Sequence, residues 1–351
     1  MAKRPAKTAR PASLRERVQE EMRAYPTNVT FHDLIRKNKR QSVLLIFGML
    51  LLGAALGSAL GALAAAYGGG GGDLKVLLPS LVLGGIVALV VGVGATLWSW
   101  FSGSSAILRM MGAIEMNKDA DPELFNIVDE MRIAAGLPMP KVYLINDSAL
   151  NAFATGRDPE HGVVAVTRGL RAKLNRDQLQ AVIAHEMAHI RHYDIRFAML
   201  MATMVGLIVF ACDAAFRMAF YSRMGGRRSS RSSDGGGGAA VIVVIVIALV
   251  LAIVAPILAR FIQMAYSRER EYLADAGAVE LTRNPEALAS ALATIAGDEE
   301  PLVEVANRGT AHMFIANPLK KARAAHQNLN SMFASHPPMD KRIARILALA
   351  R

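Results

Sequence analysis

The chain has 351 residues, 53% of them hydrophobic, with a formal net charge of +11 and a single cysteine, Cys212. A mean hydropathy of +0.29 excludes an ordinary soluble globule. One cysteine excludes both an intrachain disulfide and a cysteine-built metal site. Residues 1–42 form a basic tail, in which eleven Lys and Arg from Lys3 to Arg40 outnumber Glu16, Glu20, Glu21 and Asp33. Such a tail directly before an apolar run marks a cytoplasmic flank beside anionic lipid. It has no interleaved aromatics and no recognition motif, so nucleic acid is not an expected partner.

Residues 43–101 read as a first transmembrane hairpin, with charge-free runs at 43–67 and 76–101 around a glycine-rich turn. Each run has the roughly 20 residues needed to cross about 30 Å of hydrocarbon as a helix. The first starts too deep and runs too long for a cleaved signal peptide. Residues 102–194 are polar enough to fold in water. They predict a helix over 121–135, opened by Asp121-Pro122 and closed by Gly136. Strands are expected at 142–145 and 162–167, with a third short one at 151–155 and a turn at 156–161. A long helix follows from about 175 to 193. Residues 195–265 form a second apolar hairpin, with runs at 195–220 and 239–265. Its connecting loop holds Arg223, Arg227, Arg228 and Arg231 against Asp234, an awkward charge for an exported loop. The hairpin is therefore transmembrane or re-entrant. Residues 266–351 begin with a helix over 266–282 and continue in further helices.

The informative chemistry lies in His185-Glu186-Met187-Ala188-His189. Residues four apart share a helix face, so two imidazoles can reach one metal ion. The intervening Glu186 can take a proton from water at that ion. Catalytic zinc takes three protein ligands, so one more is needed. A third histidine six residues after His189 is absent, because that position is Ile195. His192 lies seven residues beyond His185, roughly 10 Å along the axis, too far to share an ion with it. His312, His326 and His336 lack a local frame. Glu271 and Asp275 are four apart and face one way. One of the two can bind the ion while the other orients a ligand histidine.

Further pieces are Asn151-Ala152-Phe153-Ala154-Thr155-Gly156, Glu271-Tyr272-x-Ala274-Asp275, and Ser335-His336-Pro337-Pro338 followed by Arg342. With the paired histidines and the flanking apolar runs, they resemble the HtpX-type membrane zinc metalloproteases, gluzincins related to the CAAX prenyl proteases. The resemblance covers most of residues 43–350. It implies one zinc ion per chain held by His185, His189 and Glu271, with Asp275 supporting the site. It further implies that Asn151, Ala152, Phe153 and Ala154 form an edge strand that receives substrate, and that His336 and Arg342 lie near the transition state. The tail before residue 41 and the arginine-rich loop depart from the family pattern.

The expected fold is α+β: a multi-span helical membrane protein with a cytoplasmic zincin-like protease domain of helices and a small β-sheet. A ligand after residue 265 requires an even number of crossings between the two polar segments, which puts the tail on the same side. Arg109, Arg191, Arg260, Arg268 and Arg270 flank the membrane there, favouring the inner (plasma) membrane with a cytoplasmic active site. The expected substrates are polypeptides, above all membrane proteins and their exposed segments, which implies protein quality control. Three rivals stand beside this. A CAAX-type processing protease would have more spans than these four runs. A silent zinc-binding adaptor would have no use for Glu186. A metal transporter would carry more ionisable residues within its spans.

Overall fold

The computed structural model describes residues 31–66, 73–224, 270–298 and 337–349, with residues 246, 250, 253–255, 257–258 and 315 described singly. The expectations for the tail before residue 31, the glycine-rich turn, most of the fourth apolar run, and His312, His326 and His336 lie outside the described residues.

Two long helices come first, α1 (Phe31–Ala65) and α2 (Leu74–Met110). After a short strand, β1 (Ile114–Met116), comes α3 (Pro122–Ala135). Its ends follow from its residues. The Asp121 side chain accepts from the Leu124 N–H, Pro122 occupies the first turn, and Gly136 closes the helix at φ 65°. A Cβ disfavours that left-handed conformation, so glycine suits it. Next come β2 (Lys141–Ile145), β3 (Ala152–Thr155), a 3-10 turn (Pro159–His161), β4 (Val163–Thr167) and the short α4 (Arg168–Lys173). Helix α5 (Arg176–Arg191) opens with a reciprocal cap between Asn175 and Gln178. Caps of this kind contribute about 1 kcal/mol. Tyr193 at φ 63° breaks the chain direction, and α6 (Asp194–Met224) starts at once. The described remainder holds α7 (residues 270–282), α8 (Pro285–Ala296) and α9 (Met339–Ala348).

The sheet runs β1-β2-β4-β3. Strands β2 and β4 are parallel, while β1 and β3 are antiparallel to their neighbours. Alternate side chains go to opposite faces. Val142, Ala152, Ala154, Val164 and Val166 pack with α3, α5 and α8. Ile145, Phe153, Val163 and Ala165 pack against Ile107 and Leu108 of α2 and Met199 of α6. Covered on both faces, β4 is buried throughout, and apolar up to its last residue, Thr167.

Among the described residues, three helices are long and apolar enough to span a membrane: Ile46–Ala65 within α1, Leu74–Met110, and Asp194–Asp213 within α6. Met49 and Leu56 of α1 pack with Phe197, Met201 and Ile208 of α6 and with Ala255. The described residues of the fourth run are helical. The architecture is the expected one, a helical membrane protein with a small mixed sheet.

Several boundaries differ from expectation. Strand β1 was not foreseen, because its three residues are mostly exposed and carry no periodic signal. Helix α4 is one capped turn and a half, too short for a pattern. Asn151 precedes β3 instead of beginning it. Helix α6 continues through Arg223, which had been expected in a loop.

Candidate metal centre

The paired histidines sit on the inward face of α5, where His185 is fully buried and Glu186 is 1% exposed. Helix α7 approaches α5 closely enough that a Cβ on Gly277 would lie 2.9 Å from the Ala188 methyl. Two minimal side chains at this crossing let α7 carry Glu271 over the histidines. The ring nitrogens His185 Nε2 and His189 Nε2 are 3.2 Å apart. Each lies 3.7 Å from a carboxylate oxygen of Glu271. Ligand atoms of all three residues fall within 4.8 Å of one another.

This donor set fits a four-coordinate divalent ion. Bonds of about 2.0–2.1 Å at tetrahedral angles put donors roughly 3.3–3.4 Å apart, between the two spacings found here. The other ring nitrogens are already engaged. His185 Nδ1 lies 3.0 Å from Asp275 Oδ1, and His189 Nδ1 lies 3.0 Å from Asp194 Oδ2. Carboxylates in these positions fix the tautomer and leave each Nε2 as the donor atom.

Each carboxylate is in turn held by an arginine. Arg342 donates to Asp275 through Nε at 2.9 Å and Nη2 at 2.7 Å. Its Nη1 is 3.0 Å from Glu271 Oε2. Arg270 Nε is 3.2 Å from Asp194 Oδ1, and the Arg270 guanidinium covers the Phe197 ring at 4.3 Å. Two parallel relays result, Arg342–Asp275–His185 and Arg270–Asp194–His189. The structure thus brings together His185, Glu186, His189, Glu271, Asp275 and Arg342. Arg342 is fully buried, with its Nη2 3.5 Å from His185 Nε2.

Asp194 and Arg270 were missed in the sequence. A signal existed: Asp194 follows His189 by five residues at the junction of two helices. Nothing local pointed to Arg270, because its neighbours read as an ordinary Arg/Glu helix.

The electrostatics suit a cation. Burial pushes the Glu186 carboxyl up to about 7, Glu271 adds to this, and His189, the Ala154 N–H and Arg342 oppose it. Burial lowers the His189 imidazole, yet Asp194, Glu271 and Glu186 outweigh it and hold the pKa at about 9. The field that keeps a proton on His189 is the field that would attract a metal ion in its place. His185 goes the other way: burial, Arg342 and His189 lower it against Asp275.

Strand β3 lines one side. It is an edge strand, and its Ala154 N–H donates to the Glu186 carboxylate. The Ala152 carbonyl accepts from the Ile315 N–H at 3.0 Å. Phe153 turns to the opposite face of the sheet and packs with Met199.

Comparison with known proteins gives the family. Residues 118–350 match the model of peptidase family M48. The chain is 44% identical over 314 residues to a Listeria monocytogenes serotype 4b protein named protease HtpX homolog, covering 89% of this chain and 97% of that one. Proteins of the same name from Limosilactobacillus reuteri (39% over 316 residues, 89% and 97% coverage) and Dictyoglomus thermophilum (38% over 324 residues, 90% and 94%) are also similar. A solved structure of S. mikatae Ste24p matches at TM-score 0.46 and 19% identity, over 74% of this chain and 57% of that one; at that distance it adds nothing to the argument. The family match takes in both the helix of the paired histidines and the helix that brings Glu271 to them, and the chain accordingly belongs to peptidase family M48 as an HtpX-like membrane metalloprotease.

Proposed function

We propose that the chain is a zinc-dependent endopeptidase that hydrolyses membrane proteins and their exposed segments in quality control. The observation that carries the reading is the meeting of His185, His189 and Glu271 donor atoms within 4.8 Å, beside the buried Glu186 carboxylate. His185, His189 and Glu271 would hold one zinc ion per chain. When bound, that ion supplies Lewis-acid chemistry, polarising the scissile carbonyl and acidifying water.

The remaining work falls to protein groups. Glu186, oriented by the Ala154 N–H, takes the proton as water attacks and delivers it to the leaving nitrogen. Asp275 and Asp194 fix the two imidazoles, and Arg342 ties Asp275 to Glu271. Asn151, Ala152 and Ala154 lie along the outer edge of β3, where an extended peptide would add as a strand. Phe153 braces that strand from behind. His336 would donate to the developing oxyanion.

Residues 102–194 and 266–351 make one protease domain, split by the second apolar hairpin and preceded by the first at 43–101. Because Glu271 meets the histidines, the hairpin at 195–265 returns the chain to its starting side. The basic residues 1–42 then share that side, which favours the cytoplasmic face of the inner membrane. A silent adaptor is disfavoured by Glu186, whose burial costs stability and which a purely structural metal site does not use.

The test is cleavage of casein by purified wild type and Glu186→Gln, with metal analysis of both. The variant should keep its zinc and lose turnover by several orders of magnitude. Near-normal turnover in Glu186→Gln would remove the general-base assignment, and a zinc-free wild type would remove the metal.

A further inference from the structure

Ile315 is 1% exposed and belongs to the same apolar cluster as Ala152, Ala154 and Ile346. Its backbone is gripped at both ends. Its N–H donates to the Ala152 carbonyl at 3.0 Å. Its carbonyl accepts from Arg342 Nη1 at 3.1 Å. That same nitrogen lies 3.0 Å from Glu271 Oε2, so Ile315 stands one side chain away from a metal donor. In a strand, residues two apart present their backbone groups to the same side. Ala152 and Ala154 are such a pair. Ala154 meets Glu186 on the open edge of β3 and Ala152 meets Ile315.

A peptide adding to this edge beside the general base would need the same two partners, a strand carbonyl for its N–H and a fixed cation for its C=O. Ile315 already has both. We propose that Ile315 occupies the position of a substrate residue, so that the chain is an internal competitor for its own cleft. This deepens the endopeptidase reading and rests on it. The apolar surroundings also give the substrate class: peptides with a branched aliphatic residue at this position fill the site best, as Ile315 does. Incoming substrate must displace Ile315 first. Apparent affinity is then reduced by the fraction of molecules in which the residue is in place.

The experiment uses the full-length protein in detergent and a capped, dye-labelled heptapeptide with the sequence of residues 312–318. Binding is followed by anisotropy on Glu186→Gln, where nothing is turned over, and again on Glu186→Gln with Ile315→Ala. Freeing a position that is about nine-tenths filled should tighten peptide binding about tenfold. The same peptide with its isoleucine replaced by aspartate should not bind. In active protein, Ile315→Ala should lower KM for a short fluorogenic peptide by a similar factor, with kcat nearly unchanged. If the alanine variant binds the heptapeptide no better than its parent while keeping its metal and melting temperature, Ile315 is a wall residue and the proposal is wrong. If the variant loses its fold, wild type decides: failure of the heptapeptide to compete with the fluorogenic substrate overturns the proposal. Failure of the endopeptidase reading looks different, since wild type would then cleave nothing while the binding comparison still reads out.

Discussion

The two relays behind the histidines are alike in chemistry and unlike in origin. Arg342–Asp275–His185 is built from helices that pack on the sheet, and its arginine grips the carboxylate with two donors. Arg270–Asp194–His189 is built where α5 gives way to a membrane-spanning helix, and its imidazole keeps 16% side-chain exposure. The first relay belongs to the protease core and the second belongs to the junction with the membrane. The same half of the metal site's chemistry is thus supplied twice, once by a rigid interior and once by the element that leaves it. Both carboxylates are buried, at 4% side-chain exposure, but the imidazoles differ, 0% for His185 and 16% for His189, and a group that reaches the surface can turn to water when it loses its partner. The two relays should therefore differ in what they tolerate.

The largest expected effect comes from Arg342→Ala. It strands Asp275 and Glu271 without a counter-charge, and removal of one partner of a buried pair costs about 3–5 kcal/mol. Thermal melting in detergent should fall steeply and metal content should fall with it. An unchanged melting temperature would show that the core relay is not structural. Next comes Gly277→Val, which crowds the Ala188 methyl at the α5–α7 crossing. Overpacking of this kind costs about 1–3 kcal/mol, and it should move Glu271 off the histidines, so zinc titration should show weakened binding. Retained affinity would mean that the crossing does not set the ligand position.

The direct comparison is Asp275→Asn against Asp194→Asn. Loss of a carboxylate behind a ligand histidine typically lowers metal affinity about 10–100-fold. Asp275→Asn should lie near the upper figure and Asp194→Asn near the lower, because Asp275 takes two donors from Arg342 and serves a fully buried imidazole, whereas His189 keeps 16% side-chain exposure. Equal losses by competition with a chelating dye would erase the distinction between the relays.

The smallest effect is a control outside both relays. Asp121 pairs with Arg171 at 2.7 Å, with both side chains partly exposed. Burial pushes the Asp121 carboxyl up, but Arg171 and the Leu124 N–H outweigh it and hold it below its usual value. A folded value below the unfolded one, about 3.9, means that the stabilisation is complete above that pH. It is lost as pH falls through the lowered folded value. The difference in unfolding free energy between wild type and Asp121→Asn should stay within about 1 kcal/mol at neutral pH and shrink on acidification. A difference that widened at low pH would reverse the assigned sign.

Much of this was legible in the sequence because local rules govern it. Asp121-Pro122 and Gly136 mark the ends of α3, the apolar runs mark the membrane helices, and the spacing of His185 and His189 marks a metal. The choice between Glu271 and Asp275 was not settled by spacing, since both point from one helix face. It took the crossing at Gly277 to bring Glu271 to the Nε2 atoms and Asp275 to the far side of His185. Arg342 could not be placed from its neighbours, because the carboxylates it pairs with lie 67 residues away or more in sequence. Asp194 was hidden by its position as the first residue of an apolar stretch, where it read as a boundary. Long-range ion pairs leave no periodic trace.

Asp194 is both the partner of His189 and the opening residue of a 20-residue apolar span. A span of that length is about 30 Å long, and it answers a thinner bilayer by tilting. Tilt swings the carboxylate relative to the imidazole it holds. Lipid acyl-chain length thereby becomes an input to hydrolysis: in bicelles of graded thickness, turnover should peak where span and bilayer match. A flat profile would mean that the carboxylate and imidazole move together as one rigid unit.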